Sequence, residues 1–320
     1  MDAKVSVIIP VYGVEPYIER CARSLFEQTL EEIEYLFVDD CSPDKSIEVL
    51  KRVLEDYPMR KSQVIIHRMM QNSGQAKVRE WGMRNATSEY FIHCDSDDWI
   101  DKDMYRLMYE KAIQENTDII ICDYAIANNK QVIRKVSGCS NIDKESFIND
   151  LLMEKHSWSL CNKLFKRSTC IKDGMTFPQE SMGEDMATVF QCLLNGRGIS
   201  YIHQPLYFYF FNSDSISHGA TIEKRMRNFY QNKENTDIVL AVFNRFGISE
   251  KYSKGIFNLK WRAKKFLWDM PYEKQRRELW INTYKEINKS LLFSSNISMK
   301  DKMKVFLVFC GCYPQKYSMN

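Results

Sequence analysis

Short apolar runs alternate with amphipathic helical patterns over the first 125 residues. The runs are rich in β-branched and aromatic side chains and fall at 5–9, 34–40, 64–67, 89–95 and 118–123. Between them, apolar residues recur every three or four positions, which is typical of one face of a helix. Strands that are apolar throughout and alternate with helices predict an α/β fold, in which helices flank a mostly parallel sheet.

The pattern changes after about residue 145, where aromatic segments such as 200–217 interrupt the helical patterns. Residues 222–320 predict mostly helix, are rich in Lys, Arg, Trp and Phe, and contain no internal repeat. We therefore expect an α/β domain over residues 1–220 and a helical C-terminal region over residues 221–320.

Composition and charge exclude several classes of protein. Of the 320 residues, 44% are hydrophobic and 27% are charged, which argues against global disorder. The net charge of +3 gives no support for a nucleic-acid partner. The ten cysteines lack the paired spacing of a zinc site, so we expect reduced, mostly buried thiols.

The sequence predicts a protein that stays inside the cell. No segment reaches the roughly 20 apolar residues that span a bilayer. The short N-terminal run at 5–9 lacks the basic start and the small-residue cleavage site of a signal peptide. The segment 299–317 alternates basic and apolar residues, and two interpretations stay open. It either lies on the inner face of an anionic membrane or forms a packed helix with solvated lysines.

Polar residues collect where three of the predicted strands end, at 10–13, 39–42 and 95–98. Ligands of a parallel sheet bind beyond the carboxyl ends of its strands, so these clusters predict one site. The first turn carries neither GxGxxG nor GxxxxGK[ST], which disfavours the common dinucleotide and P-loop sites.

The most acidic cluster is HCDSDDWID, residues 93–101. Crowded carboxylates resist ionisation, so a bound cation would explain them. Asp95 and Asp97 are candidate ligands for Mg²⁺ or Mn²⁺, which take one or two carboxylates and add water and phosphate oxygens. Alone this signal is weak, because Asp is common in turns and helix caps. We expect Asp98 to support the loop and Asp101 to cap the next helix.

Four ordered motifs together resemble the family 2 glycosyltransferases with the GT-A fold. They are Pro10-x-Tyr12, Val38-Asp39-Asp40-x-Ser42, Asn72-x-Gly74-x-x-x-x-Arg79 and Asp95-x-Asp97-Asp98. The resemblance is dense over residues 4–105 and resumes at 162–168, 183–190 and 205–217. It implies a GT-A catalytic domain over 1–220, with a nucleotide-sugar-binding half (1–115) and an acceptor half (116–220).

The resemblance implies a role for each matching residue of the nucleotide-sugar site. Pro10 and Tyr12 would frame the nucleotide base, and Asp40 would accept a hydrogen bond from it, while Asp39 orients the loop. Arg79 would approach the donor, although a surface charge on its helix is the alternative. The residues implied to hold the metal and the ribose-diphosphate are Asp95, Ser96 and Asp97.

This sequence departs from the family pattern at two positions. Val78-Arg79-Glu80 stands where Ala-Arg-Asn is usual, and Cys41 replaces a common Gly.

An inverting transfer also needs a base for the acceptor hydroxyl. The resemblance places it in the pair Glu184-Asp185, and we favour Asp185, with Glu184 as its neighbour or an acceptor contact. The alternative is a helix with an acidic first turn. His218 is the available candidate for a late metal ligand. His67 and His93 are expected to be core or edge residues of their strands. The aromatic band 207–211 is expected to be a buried strand, with stacking on an acceptor sugar as the alternative.

The resemblance thus predicts an inverting, metal-dependent glycosyltransferase. It would move a sugar from a nucleotide-sugar, a UDP-sugar in our hypothesis, to a glycan or lipid-linked sugar at the cell surface. One alternative is a relative that binds sugar nucleotides but has lost catalysis; intact Asp95, Asp97 and Asp185 argue against it. Another is a phosphoacceptor signalling domain, but its acids follow the first and third strands, whereas here they follow the second and fourth.

Overall fold

The computed structural model describes residues 2–139, 143–172, 174–211, 221–269 and 274–312. The chain divides into two compact units, residues 1–215 and 216–320. Nine strands in the described part of the first unit form a single sheet. They are β1 (Val5–Val11), β2 (Ile33–Asp39), β3 (Val64–Arg68), β4 (Tyr90–His93), β5 (Trp99–Ile100), β6 (Ile119–Ala127), β7 (Val132–Val136), β8 (Lys163–Lys166) and β9 (Ile199–Phe210).

The first half of this sheet is parallel and the second half is mixed. The strand order is β3-β2-β1-β4-β8-β6-β9-β5, and β7 pairs with β6. Strands β3, β2, β1 and β4 run parallel. Strand β8 lies antiparallel between β4 and β6, while β6 and β9 run parallel again. All five predicted apolar runs are strands, and the α/β class is confirmed.

Helices flank the sheet in the first unit and make up most of the second. The first unit contains α1 (Ile18–Phe26), α2 (Ser46–Glu55), α3 (Gln75–Asn85), α4 (Met104–Glu115), α5 (Lys144–Leu152), α6 (Arg167–Cys170) and α7 (Glu184–Asn195). The second contains α8 (Ile222–Arg245), α9 (Ser253–Lys265), α10 (Lys274–Asn282), α11 (Asn288–Phe293) and α12 (Met299–Phe309). Short 3₁₀ helices lie at Pro58–Gln63, Phe266–Asp269 and Lys285–Ile287.

The helical faces predicted from periodicity are the faces that pack. Ile18, Cys21 and Leu25 of α1 are fully buried against the apolar side chains of β1 and β2. Strands β1, β2 and β4 are buried on both faces because helices cover both, which is why their sequences are mostly apolar. The edge strand β3 is only partly buried. The second unit has its own core, built around Trp261, Trp268 and Trp280. None of the helices in the described residues is both long and apolar enough to cross a membrane.

Hydrogen bonds hold the ends of β1, β2 and β4 at one edge of the sheet. The Cys94 backbone N–H, directly after β4, donates to the Ile8 carbonyl of β1 at 3.0 Å. The Asp40 backbone N–H donates to the Val11 carbonyl at 2.9 Å. The Gly13 N–H donates to the Ser42 hydroxyl at 3.2 Å. The three polar clusters therefore share one edge, as their positions after parallel strands predicted.

One expectation about the acidic stretch is wrong. Helix α4 begins at Met104, and Asp103 occupies its N-cap position. The Asp101 side chain instead accepts the Asp103 backbone N–H at 2.9 Å, which forms a turn before the helix. Sequence spacing alone did not distinguish these two uses of an aspartate.

Candidate active site

Asp40 fixes the start of helix α3. Its two carboxylate oxygens accept the backbone N–H groups of Ser73 at 2.7 Å and of Gly74 at 2.9 Å. Gly74 has a φ of +83°, a conformation that side chains with a Cβ rarely adopt, and an added Cβ would lie 2.9 Å from the Ser181 hydroxyl. The Asn-x-Gly motif therefore sets the direction in which α3 and Arg79 enter the site.

Arg79 joins three carboxylates that come from distant parts of the sequence. Its side chain is 2% exposed. Nη2 lies 2.6 Å from Asp95 Oδ1, and Nη1 contacts both Glu184 and Asp185. Burial lowers the pKa of this guanidinium, but the three acids more than offset that effect and raise it. The surface-charge alternative for Arg79 is therefore wrong.

The pair Glu184-Asp185 opens helix α7, directly after Gly183 at φ +87°. The pair forms the acidic first turn of this helix, and both carboxylates also contact Arg79. The two acids differ in access to solvent, because 4% of the Glu184 side chain is exposed against 35% for Asp185. Burial raises the pKa of Glu184 well above its ordinary value; the charge of Arg79 opposes this effect, and the charge of Asp185 adds to it. Asp185 is thus the acid that is accessible for chemistry.

A cavity of about 320 Å³ opens beside Arg79. One side carries Gln75, Asp95 and Asp185, and the segment 157–159 lines it as well. Gln75 Nε2 donates to Asp95 at 3.3 Å, while the Trp158 indole N–H donates to the Leu151 carbonyl at 3.0 Å. The cavity therefore combines charged groups with an anchored aromatic side chain.

Lys163 anchors the segment 157–159 from the interior of the protein. Its ammonium is fully buried and donates to the carbonyls of Ser157 at 3.1 Å and Ser159 at 2.7 Å. Its third proton is directed to Asn162 Oδ1 at 2.9 Å. Burial lowers the pKa of Lys163 to about 8, although the nearby Asp185 acts in the opposite direction. Three satisfied donors explain how this cation is tolerated in the core.

The cluster Asp95–Asp98 divides into structural and accessible acids. Asp98 is buried and accepts the Phe210 backbone N–H at 2.7 Å and the Tyr207 hydroxyl. Asp97 is half-buried, and burial together with the charge of Asp95 raises its pKa to about 6. Ser96 between them is buried. Asp98 thus supports the loop, as the sequence analysis predicted. Asp95 pairs with Arg79, while the Asp97 carboxylate is disfavoured by burial and by the charge of Asp95.

The chemistry of Asp95 and Asp97 fits a divalent cation. The described residues contain no group of three or more His, Cys, Asp or Glu that could hold a metal. Mg²⁺ and Mn²⁺ sites of one or two carboxylates are ordinary where a substrate diphosphate completes the coordination, and the charge repulsion at Asp97 is what such an ion would relieve. His218 lies outside the described residues.

The predicted base-binding residues surround the end of β1. Pro10 is half-buried in β1 beyond its pairing with β4, where its missing N–H costs no hydrogen bond. Tyr12 is half-exposed just after the strand. Asp39 accepts the Ser42 backbone N–H at 2.7 Å and pairs with Arg68 at 2.6 Å, so it fixes the loop.

The sequence model of glycosyl transferase family 2 matches residues 6–172, just over half of the chain. The chain belongs to this family. Among curated relatives it is 25% identical over 256 residues to the uncharacterized glycosyltransferase EpsJ of Bacillus subtilis, covering 77% of this chain and 71% of EpsJ. It is 32% identical over 220 residues to the putative glycosyltransferase EpsH of the same organism, covering 66% of this chain and 62% of EpsH.

Solved structures support the GT-A fold. S. aureus TarS, residues 1–349, superposes with a TM-score of 0.69 at 17% identity, covering 96% of this chain and 87% of that chain. TarS is named a poly(ribitol-phosphate) β-N-acetylglucosaminyltransferase, and this chain spans 35% of its full length. The structure of TarS in complex with UDP-GlcNAc gives a TM-score of 0.61 at 17% identity, covering 97% of this chain and 93% of that chain. A Pyrobaculum calidifontis mannosyltransferase bound to GDP-Man and Mn²⁺ gives 0.53 at 14% identity, covering 97% and 86%.

The cavity of this family 2 glycosyltransferase also depends on residues that the sequence does not mark. Gln75, Trp158 and Lys163 shape the cavity, yet none of them was singled out. Lys163 lies in Asn-Lys-Leu-Phe-Lys-Arg-Ser, which carried part of the resemblance, and that was the available signal. His93 is fully buried, as predicted, and its pKa is lowered by burial and by Arg79. His67 is half-buried and stacks on Trp81 at 3.9 Å.

Proposed function

We propose that this enzyme is an inverting, metal-dependent glycosyltransferase that uses a UDP-sugar and extends a cell-surface glycan. The observation that carries the proposal is the Arg79 cluster, in which Asp95, Glu184 and Asp185 converge on one cavity. In a direct displacement the donor and the acceptor react in one place, so the acid that faces the donor and the acid that faces the acceptor must line the same cavity.

Asp185 is the proposed base. As the acceptor oxygen forms its bond to the anomeric carbon, its proton passes to the Asp185 carboxylate. The bond between that carbon and the diphosphate breaks on the opposite face, and its electron pair leaves with the diphosphate. One displacement inverts the configuration of the anomeric carbon. Arg79 orients Asp185, while Glu184 is too buried to meet a hydroxyl.

The donor site is proposed at the strand edge. Pro10 and Tyr12 frame the base, and Asp40 accepts a hydrogen bond from it. A carboxylate has lone pairs beyond the two that Asp40 commits to Ser73 and Gly74. The residues that meet the ribose-diphosphate are Arg79, Asp95 and Ser96. A UDP-sugar is favoured because TarS, which has the same fold, binds UDP-GlcNAc.

Asp95 and Asp97 are the proposed ligands of a divalent ion, Mn²⁺ or Mg²⁺, and His218 stays a candidate third ligand. A bound ion would offset the charge on the departing diphosphate. Mn²⁺ accompanies GDP-Man in the mannosyltransferase of similar fold, which supports this choice of cofactor.

The acceptor is proposed to be a glycan or a lipid-linked sugar that enters along Trp158. An aromatic face suits the apolar side of a sugar ring. In this scheme residues 1–115 bind the donor, residues 116–220 bind the acceptor and residues 221–320 form a separate helical region. We place the enzyme in the cytoplasm, where its ten free cysteines would stay reduced.

A panel of donors tests this function. The purified enzyme is incubated with Mn²⁺ and UDP-, GDP- or dTDP-sugars, with a mixture of simple glycosides as acceptors, and release of the nucleoside diphosphate is measured. We expect turnover with at least one UDP-sugar that depends on Mn²⁺ and is lost in Asp185→Asn. Tight UDP binding with no release in any mixture would favour the inactive relative instead.

A further inference from the structure

Helix α12 exposes an apolar stripe opposite its packed face. Val305 and Val308 are buried in the core of the second unit. The stripe consists of four large side chains that are 37–77% exposed, namely Met299, Met303, Phe306 and Leu307. At 3.6 residues per turn they cover an arc of about 100°, centred roughly opposite the two valines. Helix α12 therefore has two apolar faces, and in the described residues only the face with Val305 and Val308 is buried.

Lysines border the stripe on both sides. By helical position, Lys300 and Lys304 lie along one edge and Lys302 along the other. Lys304 Nζ lies 4.8 Å from the centre of the Trp268 ring. Its side chain is therefore directed toward the core of the second unit and does not cover the stripe. Asp301 lies on the packed side, 3.9 Å from Lys265. The border of the stripe is therefore positively charged.

This arrangement bears on the two interpretations of segment 299–317, of which residues 313–317 lie outside the described part of the chain. The helix is packed, as one of them required, but much of its solvated surface is apolar. We propose that α12 docks in the plane of an anionic membrane surface. Its apolar stripe would enter the boundary between headgroups and acyl chains, and its lysines would meet lipid phosphates. This inference stands apart from the proposed glycosyl transfer.

Charge and length favour a lipid surface over other occupants. A second copy of the chain, seated stripe to stripe, would bring the lysine borders of two helices together and repel itself. Eleven residues rise only about 16 Å, which suffices to lie on a bilayer but not to cross it.

Flotation with lipid vesicles tests the proposal on the full chain. We expect binding to phosphatidylcholine vesicles that contain about one-third phosphatidylglycerol, much weaker binding to pure phosphatidylcholine, and weakening by salt. The double variant Met303→Gln/Phe306→Gln should lose binding. Lys300→Gln/Lys302→Gln should reduce partitioning about 25-fold, because each lysine near an anionic surface contributes roughly a fivefold factor.

Matched variants in the first unit serve as controls. Met59→Gln/Met70→Gln removes two apolar side chains that are even more exposed than Met303 and Phe306, and Lys51→Gln/Lys130→Gln removes two exposed lysines. Both should bind vesicles like the parent, and circular dichroism checks that all variants fold. Failure of the parent to bind anionic vesicles, or equal binding by Met303→Gln/Phe306→Gln, contradicts the proposal. A dimer that this variant converts to monomer in sedimentation would assign the stripe to a second copy.

Discussion

Two acidic clusters meet at Arg79, and each combines a buried acid with a more accessible one. In the cluster after β4, Asp98 is buried and bonded within the protein, while Asp97 is half-buried beside Asp95. In the pair that opens α7, Glu184 is buried and Asp185 is one-third exposed. Each cluster therefore holds one structural acid and one accessible acid as chain neighbours. Burial, not spacing, distinguishes them.

The largest expected effect contrasts the two acids of the α7 pair. Asp185→Asn removes the proposed base and should lower kcat by about 10²–10⁴-fold, as is usual for general-base catalysis. Glu184→Gln keeps an oxygen near Arg79 and should lower kcat much less. Steady-state kinetics with the best donor of the panel measures both. If Glu184→Gln proves the more damaging change, the two roles are exchanged.

The next effect concerns the cation that joins the two clusters. Arg79→Met leaves the buried Glu184 without its positive partner and should lower the free energy of unfolding by about 3–5 kcal/mol. Arg84→Met on the same helix alters an exposed pair with Glu80 and should cost about 1 kcal/mol or less. Urea denaturation compares the two variants. Similar costs would mean that Arg79 does not hold the clusters together.

Lys163, which anchors the segment 157–159 of the cavity, should make the free energy of unfolding depend on pH. Its folded pKa of about 8 lies below the unfolded value of 10.5, so between these values the unfolded chain binds more protons. Stability contributed by Lys163 therefore rises with pH across this window, by up to about 3 kcal/mol. The difference in unfolding free energy between the parent and Lys163→Met should increase accordingly from pH 8 to pH 10.5. A constant difference would show that the buried ammonium is not destabilised.

The smallest effect contrasts the two acids after β4. Asp98→Ala leaves the Phe210 N–H and the Tyr207 hydroxyl without their acceptor and should cost about 1–3 kcal/mol. Asp97→Ala removes a carboxylate that Asp95 repels and should leave stability unchanged or higher. Thermal unfolding at neutral pH separates them. Equal destabilisation would remove the distinction between structural and accessible acids in this cluster.

Much of the parallel half of the fold could be predicted from sequence. Strands β1, β2 and β4 are mostly apolar because both of their faces are covered, and that pattern is local. The partly buried edge strand β3 still has a short apolar run that marks it. Strand β8 was missed, because Lys163–Lys166 is short, carries a lysine at each end, and pairs antiparallel with strands distant in sequence. Its pairing depends on tertiary contacts, which periodicity does not report.

The site was also predictable only in part, because sequence motifs report local patterns but not tertiary contacts. The order of the motifs was enough to predict that Asp95, Asp185 and Arg79 belong to one site. A single arginine on a helix nevertheless gave no sign that it would be buried among three acids. Trp158 and Lys163 could not be assigned, since their importance comes from the segment 157–159 folding back onto the cavity.

The central claim is that the β4 cluster binds the donor while the α7 pair acts on the acceptor. Calorimetry with UDP, with and without Mn²⁺, tests it on three proteins: the parent, Asp97→Ala and Asp185→Asn. We predict Mn²⁺-dependent UDP binding that is lost in Asp97→Ala and retained in Asp185→Asn. Loss of binding in both variants, or in neither, would contradict the division of roles between the two clusters.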